Sequence, residues 1–146
     1  MPTVRYGILP ANPRTKDIED AMLAILSMGL VGLVALEHIY ILYMEMFAWT
    51  SARVRRSFGT TPEFARDTRA LAANQGLYNG FLAAGLIWGL LHPNTGVGIQ
   101  IQLFFLFCVI IAALFGGLTA KRSILFVQGG PALLALLAVL AQVAFG

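Results

Sequence analysis

The hydrophobic pattern divides the chain into a polar lead, four long apolar segments and three connections of different character. Residues 1–21, "MPTVRYGILPANPRTKDIEDA", carry three prolines and mixed charges and no apolar run. They read as a polar N-terminal extension. They lack the hydrophobic core and cleavage site of a secretory leader. Met22 stands directly before the first apolar run, so either Met1 or Met22 is compatible with the native start. The first apolar segment runs from about Ala21 to Trp49, with Trp49 at its end as an interfacial aromatic. The second covers about Leu71–Leu91, the third about Ile99–Thr119 and the fourth about Ile124–Phe145.

From Ala70 to Ala120, and again from Ser123 to Gly146, there is no Asp, Glu, Lys or Arg. A helix needs roughly 20 mainly apolar residues to cross the hydrocarbon of a bilayer. The two uncharged stretches therefore hold three spans, and the first apolar segment supplies a fourth. The expected fold is an all-α integral membrane bundle of four transmembrane helices, forming a single domain over residues 22–146.

Local signals refine this picture. In the polar connection after the first span, Thr61-Pro62-Glu63 reads as a helix start: a hydroxyl N-cap, proline at the first position and an acid in the first turn. That helix is expected to lie at the interface and lead into span two. "HPNTGVG", 92–98, reads as an uncharged turn, with His92-Pro93 as a helix terminator. "QGGP", 128–131, predicts a kink or a locally opened backbone in span four.

Composition agrees. Hydrophobic residues make up 58% of the chain and charged residues 12%, with a mean hydropathy of +0.77; soluble domains run nearer 25% charged. The formal charge is +3, but the basic residues flank apolar segments and form no nucleic-acid-binding pattern. The first and third connections hold Arg53, Arg55, Arg56, Arg66, Arg69, Lys121 and Arg122, against Arg5, Arg14 and Lys16 at the other face. Positive charge marks the cytoplasmic side. Both termini are thus expected to be extracytoplasmic, in the cell membrane and on a bacterial chain in the inner membrane. Cys108 is the sole cysteine, so no intrachain disulfide and no CxxC site exist.

The chemistry concentrates in "ALEHIYILYMEMFAW", residues 35–49, where Glu37, His38 and Glu45 interrupt an apolar helix. Ionisable groups in mid-membrane cost on the order of 2.5–3.5 kcal/mol each on insertion scales, so they face the bundle interior and have partners. His38 and Glu45 are seven residues apart and share a face; Glu37 is rotated about 100° from His38. Span two offers the complement in "ANQGLYNG": Asn74, Gln75, Tyr78 and Asn79. With the first connection cytoplasmic, these groups lie at the depth of Glu45, and Gln128 enters from span four at a similar depth. Amides and a phenol can satisfy a buried carboxyl group. Gly76 and Gly80 form a GxxxG face for close helix approach, and Gly85 and Gly89 extend it; such faces could also join copies of the chain in a homo-oligomer. No second histidine lies at suitable depth near His38, so no metal site is indicated; haem ligation by His38 has no supporting motif, and the cofactor is unknown.

Three readings follow. The first is a membrane-embedded site for a small lipophilic molecule, with Glu37 and Glu45 as acid–base candidates, His38 as proton shuttle, and Asn74, Gln75, Tyr78, Asn79 and Gln128 positioning the substrate. The second is a proton or solute path. The third is a structural scaffold subunit whose polar groups fix helix register.

"GLVALEHIYILYMEMFAW", "TPEFA" and "ANQGLYNGFLAAGLIWG" resemble a family of small four-helix membrane proteins of bacteria and fungi, domain of unknown function 1304, over about residues 22–145. The resemblance implies four spans and a membrane location. It implies no activity and no catalytic residues.

Overall fold

A computed structural model describes residues 13–145. It is helical: α1 (Pro13–Met46), α2 (Ala52–Phe58), α3 (Pro62–Asp67), α4 (Arg69–Leu91), α5 (Thr95–Thr119), then a π-helical segment (Leu125–Gly129) that runs into α6 (Gly130–Phe145). The long helices pack as an up-and-down bundle. Helix α1 lies along α4 and α6, and α5 closes the other side between α4 and α6. One end of the bundle gathers the start of α1, the α4–α5 turn and the end of α6. The other gathers α2, α3 and the α5–α6 turn.

The distribution of side chains is that of a chain in lipid. The interior holds Val31, Val34, Leu86, Leu106, Val109 and Val139 at 0% exposure, together with the polar residues Ser27, His38, Glu45, Asn79 and Gln102. The outer surface is apolar: Ile25, Leu36, Phe104, Phe115, Leu118 and Phe126 are all more than half exposed. Soluble monomers rarely show contiguous apolar surface on this scale. Among the described residues three helices are long and apolar enough to cross a membrane: α1 over Arg14–Met46, α5 over Thr95–Thr119, and the π segment with α6 over Leu125–Phe145. Helix α4 has the length, 23 residues, but with Asn74, Gln75 and Asn79 in its first half it is not among the three.

The structure revises several boundaries. Helix α1 starts at Pro13, so part of the polar extension is helical; residues 1–12 lie outside the described residues. The polar connection contains an additional short helix, α2. Its N-cap Ser51 accepts a hydrogen bond from Val54 N, and its C-cap Gly59 sits at φ 69°, a left-handed conformation suited to glycine. The Thr61 cap forms as the sequence indicates, accepting from Phe64 N at 3.2 Å with Pro62 at the first position. A break at Thr68 separates α3 from α4. The turn at 92–98 shrinks to His92–Asn94, because the Asn94 side chain caps α5 by accepting from Val97 N at 3.0 Å. The opened backbone expected at "QGGP" is present as the π-helical segment. Pro131 has no N–H to offer the Val127 carbonyl, so the α-helical register cannot run through this point.

The glycine faces are used inside the chain. Gly76 packs against Leu42, Glu45 and Met46, and Gly80 against Leu42. Gly89 meets α5 backbone to backbone, and Gln102 Nε2 donates to the Gly89 carbonyl at 3.1 Å across that contact. The sequence assigns Gln102 no special role; in the fold it is a buried interhelical tie.

A Cβ at Gly89 would stand 2.7 Å from Gln102 Cγ and 3.0 Å from both Gln102 N and the Gly98 carbonyl oxygen. Backbone atoms cannot yield as a flexible side chain does. Gly89→Val is therefore expected to destabilise the detergent-solubilised protein by about 1–3 kcal/mol. Gly29, which has nothing within 4 Å of the equivalent position, should accept alanine without loss. Paired unfolding curves of the two variants check this.

Candidate functional site

At the end of the bundle that carries α2, α3 and the α5–α6 turn, the helices enclose a cavity of about 1080 Å³. Its wall explains its shape. Helix α1 turns a stripe inward at Ser27, Val31, Val34, His38, Ile41 and Glu45, at alternating spacings of three and four. The lower half of that stripe, with Glu37, Tyr40 and Met44 beside it, forms one side of the cavity. Helix α4 contributes Gln75, Tyr78, Asn79, Phe81 and Leu82. Helix α5 contributes only small groups: Cys108, Ala112 and Gly116 at successive spacings of four, followed by Ala120. The π segment and its lead-in add Ile124, Val127 and Gln128. Space remains because α5 has nothing bulky to fill it. In addition, the π segment makes its main contacts with α5 and α6 rather than with α1.

The polar groups in this wall are not equivalent. Glu45 is 8% exposed, and its Oε2 accepts a hydrogen bond from Asn79 Nδ2 at 2.8 Å. Asn79 Nδ2 also donates to the Gln75 carbonyl one turn earlier, at 3.2 Å. His38 is 1% exposed and its Nδ1 lies 2.9 Å from the Val34 carbonyl. A carbonyl can only accept, so this contact places the ring proton on Nδ1. Glu37 differs. Both of its carboxyl oxygens are shielded, and neither has a hydrogen-bond partner among the described residues. Buried polar groups are nearly always partnered, which makes Glu37 the exception in this cavity.

Of the residues singled out from the sequence, Glu37, His38, Glu45, Gln75, Tyr78, Asn79 and Gln128 all line this one cavity. Asn74 does not; it lies exposed, about 140° around α4 from Asn79. Sequence reasoning passed over Ser57, Phe58, Cys108 and Lys121, which also line it. The Cys108-Ala112-Gly116 series at spacings of four was a readable signal of a helix face without bulk. Lys121 carried no such signal. It becomes visible only because its Nζ donates to the Ser57 carbonyl at 3.2 Å, joining the α5–α6 turn to the end of α2. Above α2, the Trp49 ring meets Phe58 edge-on at 4.9 Å and donates through Nε1 to Thr68 Oγ1 at 3.1 Å. These contacts tie the end of α2 to the end of α3, and Ser57 and Phe58 of α2 line the cavity.

A second, smaller depression of about 450 Å³ lies beside α2 and α3 and is lined by Thr50, Arg55, Pro62, Arg66 and Arg69. Nearby, Glu63 is exposed and its carboxyl is held below the ordinary carboxylate value. Its own backbone N–H at the start of α3 is the main cause, followed by Arg66 at 3.2 Å. Among the described residues no group of three or more His, Cys, Asp or Glu side chains could hold a metal ion.

Comparison with known families adds one decisive match. Residues 32–140 fit the family described as Protein of unknown function (DUF1304). The chain belongs to the DUF1304 family. It is also 38% identical over 117 residues to the uncharacterised protein YpaA of Lactococcus lactis subsp. lactis (strain IL1403), which covers 79% of this chain and 97% of YpaA. No solved structure matches it. The DUF1304 match contains every residue of the cavity wall, from Glu37 to Gln128. It leaves out the polar beginning of α1.

The Glu45–Asn79 bond joins α1 to α4, and it should be measurable. Replacing either residue with leucine, and then both, forms a double-mutant cycle. The expected coupling is about 1 kcal/mol, in the range of interhelical hydrogen bonds in membranes. A coupling of zero would mean that the pair makes no contribution to stability.

Proposed function

We propose that this chain is a four-span membrane protein whose cavity binds a small lipophilic molecule, with Glu37 as the polar contact and acid–base group. The observation that carries this reading is the Glu37 carboxyl, shielded and without a protein partner, in the wall of a large and mainly apolar cavity. Ligand sites are concave and largely apolar, with a few convergent polar groups, and this cavity has the volume for a molecule of drug size or larger. Chemistry suited to such groups is isomerisation, hydration or cyclisation. Glu37 and Glu45 would exchange protons with the bound molecule, His38 would relay them, and Gln75, Tyr78, Asn79 and Gln128 would orient it.

Helix α4 is the fourth span in this reading. It packs along α1 on one side and α5 on the other, so all four helices share one depth. Its amides face a partner or the cavity at Asn79 and Gln75, which lowers its cost in lipid. The end bearing α2, α3 and the α5–α6 turn faces the cytoplasm, supported by Arg53, Arg55, Arg56, Arg66, Arg69, Lys121 and Arg122 at that end. Arg55, Arg66 and Arg69 in the smaller depression would meet lipid phosphates there.

A proton or solute path through one subunit has less support. Beyond the cavity the bundle is filled by Val31, Leu86, Leu106, Val109 and Val139, all with no exposed surface. A scaffold role explains the Glu45–Asn79 tie but not Glu37, which fixes no register.

Native mass spectrometry of the protein released from lipid nanodiscs tests the binding reading. The wild-type chain should carry an adduct distinct from phospholipid, and Glu37→Gln should lose most of it. A wild-type spectrum with phospholipid adducts alone would overturn the proposal. Orientation is checked separately with Ser57→Cys in a Cys108→Ala background. A membrane-impermeant maleimide should label that thiol only after the inner membrane is opened.

A further inference from the structure

We infer that the ligand of this cavity is a lipophilic organic cation: an amphiphile whose amine nitrogen pairs with Glu37 while its hydrocarbon lies along the apolar wall. This rests on the binding reading above and names its chemical class.

The charges facing the cavity favour a cation. Glu37, Glu45 and Lys121 are the acidic and basic side chains in its wall, with His38, Tyr40, Tyr78 and Cys108 as the other titratable groups. Lys121 lies at the mouth, is exposed, and donates to the Ser57 carbonyl. Water screens its charge there. Among the described residues the interior thus holds two carboxyl groups and no fixed cation. Glu45 already accepts from Asn79, but Glu37 accepts from nothing among the described residues. A carboxylate in a shielded, low-dielectric site needs a counter-charge or strong donors. An ammonium group on the ligand supplies both. An anionic ligand would add a third acidic group at that depth, and a neutral alcohol would supply one weak donor.

The surrounding wall fits the rest of such a molecule. Tyr40, Tyr78 and Phe81 line the cavity on either side, and Tyr78 and Phe81 stand edge to face with centroids 6.0 Å apart. Aromatic faces attract ammonium groups. Ile41, Leu82 and Val127 give an alkyl chain an apolar bed. Entry need not pass through the cytoplasmic mouth. The π segment leans on α5 and α6, and α1 on α4 and α6, so α1 and the π segment part at this end.

A matched ligand series tests this. The protein in phosphatidylcholine nanodiscs is loaded with an alkylamine bearing a terminal dansyl group. The probe is then displaced by dodecylamine, 1-dodecanol or dodecanoate, with protein-free nanodiscs correcting for partition. Dodecylamine should displace the probe at concentrations about tenfold or more below the other two. Glu37→Gln should reduce that preference to near unity. Glu19→Gln, on an exposed part of α1 away from the cavity, should leave it intact. If the alcohol or the carboxylate displaces the probe as well as the amine from the wild-type protein, the cation assignment is wrong while a lipophilic site still stands. If the probe shows no saturable binding to the wild-type protein, the binding reading falls and this inference with it. The wild-type series decides both points even if the Glu37 variant does not fold.

Discussion

The constraint behind this architecture is that hydrocarbon offers no hydrogen bonds. Each polar group placed among the helices must find its partner within the chain or carry a cost of several kcal/mol. The bundle meets that demand one contact at a time. Ser27 bonds Gln142 between α1 and α6, Gln102 reaches the Gly89 carbonyl between α5 and α4, His38 turns back to Val34, and Asn79 serves Glu45. Three of these four bonds cross between helices, so the polar residues also set which helices meet and at what height. The apolar surface outside has no such specificity. It suits lipid and leaves the register to the polar ties and to the close glycine contacts.

Against that background Glu37 is anomalous in a useful way. It sits one residue from His38, and so about 100° away around α1. That rotation takes it off the fully buried stripe and onto the cavity edge. A carboxyl group there costs stability and repays none of it through a protein partner. The small stripe on α5 and the Pro131-induced π register act in the same direction, because each removes material from the space in front of it. Three separate departures from good packing converge on one place. Local conflicts of this kind concentrate at functional sites, where activity offsets what the fold loses.

Much of the architecture was legible in the sequence because its signals were long and one-dimensional. Runs without charge located the helices, and Thr61-Pro62 and "QGGP" announced a cap and a broken register that both formed. The candidate site was legible in part. Glu37, His38, Glu45 and Asn79 stood out because ionisable and amide groups are conspicuous in an apolar run. What was missed depended on distance along the chain or on the meaning of small side chains. Helix α2 hid within a stretch that composition alone marks as a loop, since seven residues held by Ser51 and Gly59 carry little periodicity. Lys121 reaches Ser57 across 64 positions, a relation no local pattern contains. Asn74 was included with its neighbours because it shares their chemistry, yet helical rotation takes it outward.

The division of labour between the two carboxyl groups follows from where each faces. Glu45 lies on the inward stripe opposite Gly76, where α1 and α4 pack tightly; a Cβ at Gly76 would stand only 3.0 Å from Glu45 Cβ. The same close approach that glycine permits lets Asn79, three residues on, reach the Glu45 carboxyl. Glu45 is therefore bound into the helix contact, and moving it would disturb the α1–α4 seam. Glu37 is two turns further from the end that carries α2 and α3 and off that seam, so it can take a partner without any helix moving. In the proposed binding reading, Glu45 would hold the wall in place and Glu37 would respond to what enters.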